Sequence, residues 1–329
     1  MKKLFALLTA LTLAISLAAC GGAPQKTAGP DSGAEPIPIK VAFCTWVGYA
    51  PLFIAEEKGY FEEYGYAPEI IIMEDESAYG SALVSNSIDA LGQVLDRDII
   101  QYVAGAPEQY VCTMDASTGG DGLVATADIQ SVDDLAGKTV ALDKSATSYF
   151  FFLQVLADSG ITEDEINIVE MGNDEAGEAF IAGSVDAAVT WEPQLSNCSM
   201  REGGHILVSS ADYPKAIIDV LTVNSNFLKA HPDAAKDLLE IWNKSVDFLN
   251  ENFDEGCEIM AKGLDLDVEE VKESCGGVTY YDRSMNAEFV KDSTDFNVMD
   301  VADTAAAFWL ERGYIDNDDL SGFFAGTPK

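Results

Sequence analysis

Short apolar runs alternate with longer mixed segments over most of the chain. IKVAFCTW (39–46), PEIIIME (68–74), IDALGQV (88–94) and Tyr110–Met114 read as strands, and PLFIAEEKGYFEEYG (51–65) and SAYGSALVSNS (77–87) between them read as helices. This alternation predicts parallel strands with helical crossovers and a sheet covered on both faces. A polar, glycine-rich stretch, DASTGGDG (115–122), interrupts it, and a second cycle follows. KTVALD (138–143), NIVEM (167–171) and VDAAVTW (185–191) are its strands; TSYFFFLQVLADSG (147–160) and DEAGEAFIAGS (174–184) are its helices. AIIDVLTVNSNFL (216–228) then reads as a strand returning to the first sheet, and helical patterns follow over 232–252, 267–274 and 287–312.

The expected organisation is two α/β lobes, residues 39–115 plus 216–329 and residues 116–215, joined by two crossings near 115–122 and 210–218. SALVSNSIDAL and EAFIAGSVDAAV have the same helix, turn, aspartate and strand order, which suggests similar lobes. Two crossings make a hinge, with a ligand expected in the cleft between the lobes.

The first nineteen residues carry Lys2 and Lys3, an apolar run from Leu4 to Leu17, and small residues directly before Cys20. This is the pattern of a secretory signal whose cleavage exposes a cysteine for lipidation. Two or three acyl chains at Cys20, each buried CH₂ contributing about 0.8 kcal/mol, would tether the protein to a membrane. Residues 20–38, rich in Gly, Pro and Ala, read as a disordered linker.

Charge narrows the partners. The chain holds 19 basic against 56 acidic residues, a formal net charge of −37, which loss of Lys2 and Lys3 with the signal takes to −39. Nucleic acid is excluded as a partner, because phosphate binding needs clustered Lys and Arg. Cys44, Cys112, Cys198, Cys257 and Cys275 lack metal-type spacing, and a Cys257–Cys275 bridge and buried free thiols both fit the sequence.

Three segments carry a resemblance: CTWVGYAPLFIAEEKGYFEEYG (44–65), DAAVTWEPQ (186–194) and LTVNSNFLKAHPD (221–233). In order and spacing the chain resembles solute-binding proteins of the nitrate, sulfonate and taurine type, a family that also includes thiamine-pyrimidine binders. The resemblance implies a type II periplasmic-binding-protein-like fold, an extracytoplasmic location, a small-molecule ligand, and an ABC permease and ATPase as partners, with no cofactor.

Loops at the carboxyl ends of the strands are where such sheets hold ligands. Trp46, Gly48 and Tyr49 follow the first strand, the glycine allowing close approach and the rings offering flat walls; Trp46 as a core residue is the alternative. Gln93 and Asp96 end the strand 88–94, and Asp96 is either a ligand acceptor or a helix cap; Asp75 and Ser77 read as a cap. Ser145, Ala146, Thr147 and Ser148 open a helix, where N–H groups and the dipole favour an anion. Trp191 and Glu192 end the strand 185–191, Glu192 either facing the cleft toward an amine or amidine or anchoring the hinge.

These features sketch a pocket with aromatic walls, an anion seat on the second lobe and acids as acceptors. The acids weigh against a bare anion such as nitrate, and Arg97, Arg201, Arg283 and Arg312 are the only arginines. Catalysis is not expected: the pyrimidine-making relatives use a histidine, iron and a cysteine-rich motif, whereas His205 and His231 lie away from the candidate loops and the motif is missing. A lipoprotein presenting its ligand to a sensor is a third reading, since fold alone does not choose among docking partners.

Overall fold

The computed structural model describes residues 35–328 apart from 145–146, 214–215 and 292–296. Cys20, the signal and most of the linker thus lie outside the described residues. Pro36–Lys329 forms one unit built on two sheets.

The first sheet contains β1 (Ile37–Phe43), β2 (Tyr66–Ile72), β3 (Ala90–Val94), β4 (Glu108–Ser117), β10 (Ile218–Asn224) and β11 (Val278–Tyr280), in the order β11-β4-β10-β3-β1-β2. The second contains β5 (Asp121–Thr126), β6 (Thr139–Leu142), β7 (Asn167–Glu170), β8 (Ala187–Trp191) and β9 (Gly204–Ser209), in the order β7-β6-β8-β5-β9. β1 pairs in parallel with β2 and β3, and β6 with β7 and β8. In each sheet an antiparallel strand is inserted after this trio, β10 in one and β5 in the other. These are the strands on which the chain passes between sheets, so they arrive without a helical crossover and run opposite to their neighbours. The repeated helix-turn-strand unit seen in sequence sits at equivalent places, leading into β3 and β8.

Local chemistry explains the helices that position the loops. Pro51 starts helix 51–58, where a missing N–H costs nothing, and Gly59 ends it at φ 73°, a left-handed conformation that favours glycine. Leu238, Ile241, Trp242, Val246 and Leu249 put one buried stripe on helix 234–251, which packs with helices 51–58 and 253–264 against the first sheet. The apolar pattern expected over 287–312 resolves into helices 283–289 and 298–311.

A single hydrophobic cluster runs from Ile99, Ile218 and Val220 of the first half to Leu123, Val140 and Val189 of the second. Phe150 bridges them, its ring 4.9 Å from that of Phe308 and 5.7 Å from that of Trp309. The two halves are therefore in apolar contact through the C-terminal helix.

The crossings are stitched together at Ser210, which is fully buried. Its hydroxyl lies 2.7 Å from Ser117 Oγ and accepts from the Gly119 and Asp121 N–H groups at 2.8 and 3.3 Å. The five described cysteines are buried free thiols.

Candidate functional site

A cavity with about 290 Å³ of empty space, counting its mouth, opens between the sheets. The room inside is much smaller, about 20 Å³, enough for little more than one water between walls this close. Trp46 and Tyr49 from the loop after β1, Val94 and Asp219 from the first sheet, and Asp121, Thr147 and Trp191 from the second half line it, with Cys44, Glu76 and Ile217.

Trp46 and Tyr49 are buried as walls and also bonded at their polar ends. Trp46 Nε1 donates to Asp115 Oδ1 at 3.2 Å, and the Tyr49 hydroxyl donates to Asp219 Oδ1. Gly48 lets the loop close on these acids: a Cβ there would stand 2.1 Å from Asp115 Oδ2 and 2.3 Å from Trp46 Nε1. Thr147, only 7 % exposed, has no partner for its hydroxyl oxygen.

Other expected residues lie elsewhere. Ser145 and Ala146 fall outside the described residues. Ser148 is buried and donates to Asn173 Oδ1. Gln93 lines a separate cavity with Arg97 and Gln101, its Oε1 unpartnered. Asp96 lines a third, between Phe150, Gln154 and Thr304, and accepts from Trp309 Nε1 at 3.2 Å. It is not the helix cap, since the residue at the cap position of helix 95–103 is Val94. Glu192 accepts from the Ser196 N–H and hydroxyl at 3.0 and 2.8 Å, and its own N–H donates to Gly120 O at 2.8 Å. Its carboxylate is thus occupied by the following helix, and only its main-chain N–H reaches the first crossing. Asp75 accepts from Ser77 N, the expected cap.

Sequence reasoning did not single out Glu76, Asp115, Asp121 or Asp219 for the site. Asp115 and Asp219 pair directly across β4 and β10, and they are 0 % and 3 % exposed. Burial, then the mutual proximity of like charges, drives the Asp115 carboxyl far above the usual carboxylate range, and burial also raises Asp219. Burial pushes Asp121 up to about 7, Asp96 to about 7 and Glu76 to about 8, the last two in spite of the neighbouring Arg97 guanidinium. The available signal was an acid inside an apolar strand, as in VCTMDAS and IIDVLTV, because an ionisable group there is costly unless it is paired or used.

The family model described as NMT1/THI5 like matches residues 46–255. The chain belongs to the NMT1/THI5-like family. A Bacillus subtilis (strain 168) protein named as a candidate aliphatic sulfonates-binding protein is 28% identical over 225 residues, covering 66% of this chain and 68% of that one. Among solved structures, the alkanesulfonate-binding protein SsuA from Xanthomonas axonopodis pv. citri bound to MOPS superposes with a TM-score of 0.71 at 17% identity, over 90% of this chain and 99% of that one. The periplasmic aliphatic sulphonate binding protein SsuA from Escherichia coli gives 0.70 at 17% identity, over 86% and 95%. At that identity the likeness speaks for the fold alone: this NMT1/THI5-like chain has the two-lobed type II architecture of periplasmic binding proteins.

Proposed function

We propose that this chain is the extracytoplasmic, lipid-anchored substrate-binding component of an ABC importer, and not an enzyme. Its ligand would be a small organic nitrogen or sulfur compound of the sulfonate, taurine, nitrate or a related type. One observation carries the reading: a small cavity whose walls come from both sheets, between which the described chain passes at two crossings. A solute that touches both halves favours the closed arrangement, because those contacts exist together only when the cleft is shut. A closed pair of lobes then offers a permease a surface that the open form lacks.

Trp46, Tyr49, Thr147 and Trp191 are the proposed contacts, with Gly48 allowing the loop to approach. Glu192, Ser148 and Asp96 are not among these contacts, each being bonded elsewhere. Membership in the NMT1/THI5-like family and the names of its sulfonate-binding relatives support the solute-binding role. Cys20 is the proposed lipidation site and the permease and ATPase the proposed partners.

Two measurements test this. Native mass spectrometry of the gently purified protein should find a small bound solute, and a thermal-shift screen of sulfonates, nitrate and small amines should give a hit. A ligand at a hundred times its Kd adds about 2.7 kcal/mol of stability. No bound solute and no hit would reject a solute-binding role.

A further inference from the structure

The cavity is acidic to a degree that its aromatic walls do not require. Asp219 and Asp121, each 3 % exposed, and Glu76 line it, and Asp115 stands directly behind Asp219 on the neighbouring strand. Like charges placed opposite each other on adjacent strands repel, and burial removes the water that would screen them. Glu76 Oε2 and Asp115 Oδ2 have no hydrogen-bond partner, and neither does the Thr147 hydroxyl on the opposite wall. Arg97 is the cation that acts on Glu76 and Asp96, but it lines the neighbouring cavity with Gln93 and Gln101 and none of the walls here.

Buried acceptors without donors are a cost that a correct ligand removes. A sulfonate or nitrate supplies no donor to these carboxyls and further opposes their ionisation, which burial already disfavours. A ligand bearing N–H⁺ groups supplies both charge and donors, and the rings of Trp46, Tyr49 and Trp191 around the same space suit a cation by their negative faces. Among the described residues no three such side chains converge to hold a metal ion, so the acidity is spread along a wall and not focused on a point.

Building on the solute-binding reading above, we propose that the ligand carries a protonated amine or amidinium, seated on Asp219 and Asp121 between the aromatic walls, with the Thr147 hydroxyl bonding its far end. The ligand class is thus a small organic cation or an amine-bearing zwitterion.

Matched probes decide it. Taurine and ethanesulfonate differ only by the amine, and ethylamine and benzamidine carry the cation alone. Calorimetric titration of the intact protein should show binding of at least one amine-bearing probe and at least tenfold weaker binding of ethanesulfonate and nitrate. Asp219→Asn and Asp121→Asn should each weaken the amine-bearing probe at least tenfold. Asparagine keeps an acceptor for the Tyr49 hydroxyl and removes the repulsion, so apo Asp219→Asn should melt no lower than the parent; a purely structural aspartate would predict a lower melting point. Binding of ethanesulfonate as tight as taurine would overturn the cation seat and leave the solute-binding role intact. Amine binding that survives in both variants would overturn the seat as well. Silence toward every amine-bearing probe rejects this ligand class, and the solute-binding reading then stands or falls separately on whether a solute co-purifies.

Discussion

Gly48 is the residue on which the candidate site most narrowly depends. Its missing side chain lets the loop after β1 rest on Asp115 and on the Trp46 ring nitrogen. Gly48→Ala would force the loop outward or the Trp46–Asp115 bond apart, with an expected loss of about 1–3 kcal/mol, as for other overpacked sites. Urea denaturation reads the stability, and affinity for any solute found by screening should fall at least tenfold; an unchanged protein would show that the loop has room to spare. The residue scale also shows what kind of chemistry is hidden from sequence. Trp46 and Tyr49 stand out as aromatics in a glycine loop, whereas Asp219 is one acid in an apolar run, and only its pairing with Asp115 across two strands distant in sequence makes it notable.

At the scale of elements, the hinge is a bonded unit and not a pair of loose strands. Ser210 from the second crossing satisfies two N–H groups of the first, and Gly277 O accepts from Thr118 N at 2.8 Å beside them. Ser210→Ala leaves the Gly119 and Asp121 donors without that partner, at an expected cost of about 1–3 kcal/mol. A shift of the urea midpoint with unchanged slope would confirm a local loss, and no shift would mean that other acceptors replace the hydroxyl. The elements legible in advance were those with strong period: the buried β1, β3 and β10, and helices 51–58, 147–159 and 234–251. β5 and β9 were not read as strands, since β5 follows the glycine-rich crossing and β9 is only half-buried. The break between helices 283–289 and 298–311 was missed because their apolar residues continue nearly the same pattern.

For the whole molecule, the buried acids set the pH dependence of the unliganded protein. Asp96 and Asp121 at about 7 and Glu76 at about 8 lie above their unfolded values near 4. The folded state therefore binds more protons than the unfolded one between about pH 4 and 8, and stability falls as pH rises through that window. Asp128, held at about 2 by Lys138, acts in the opposite sense and contributes only above its unfolded value, losing its effect as pH falls below about 4. The melting temperature without ligand should thus be higher at pH 5.5 than at pH 8.5 and should fall again below pH 4. A melting temperature that rises from pH 5.5 to 8.5 would contradict the burial of these groups.

The sequence by itself determined the α/β class, the two similar lobes with two crossings, the family resemblance and the aromatic loop, because periodicity, turn residues and contiguous motifs are written locally along the chain. Tertiary structure alone decided which acids share one cavity, and that Asp96 and Gln93 face neighbouring cavities. The physical reason is that burial, like-charge pairing and missing hydrogen-bond partners belong to residues brought together by folding: Tyr49 and Asp219 meet across 170 positions of chain, and no local pattern records that meeting.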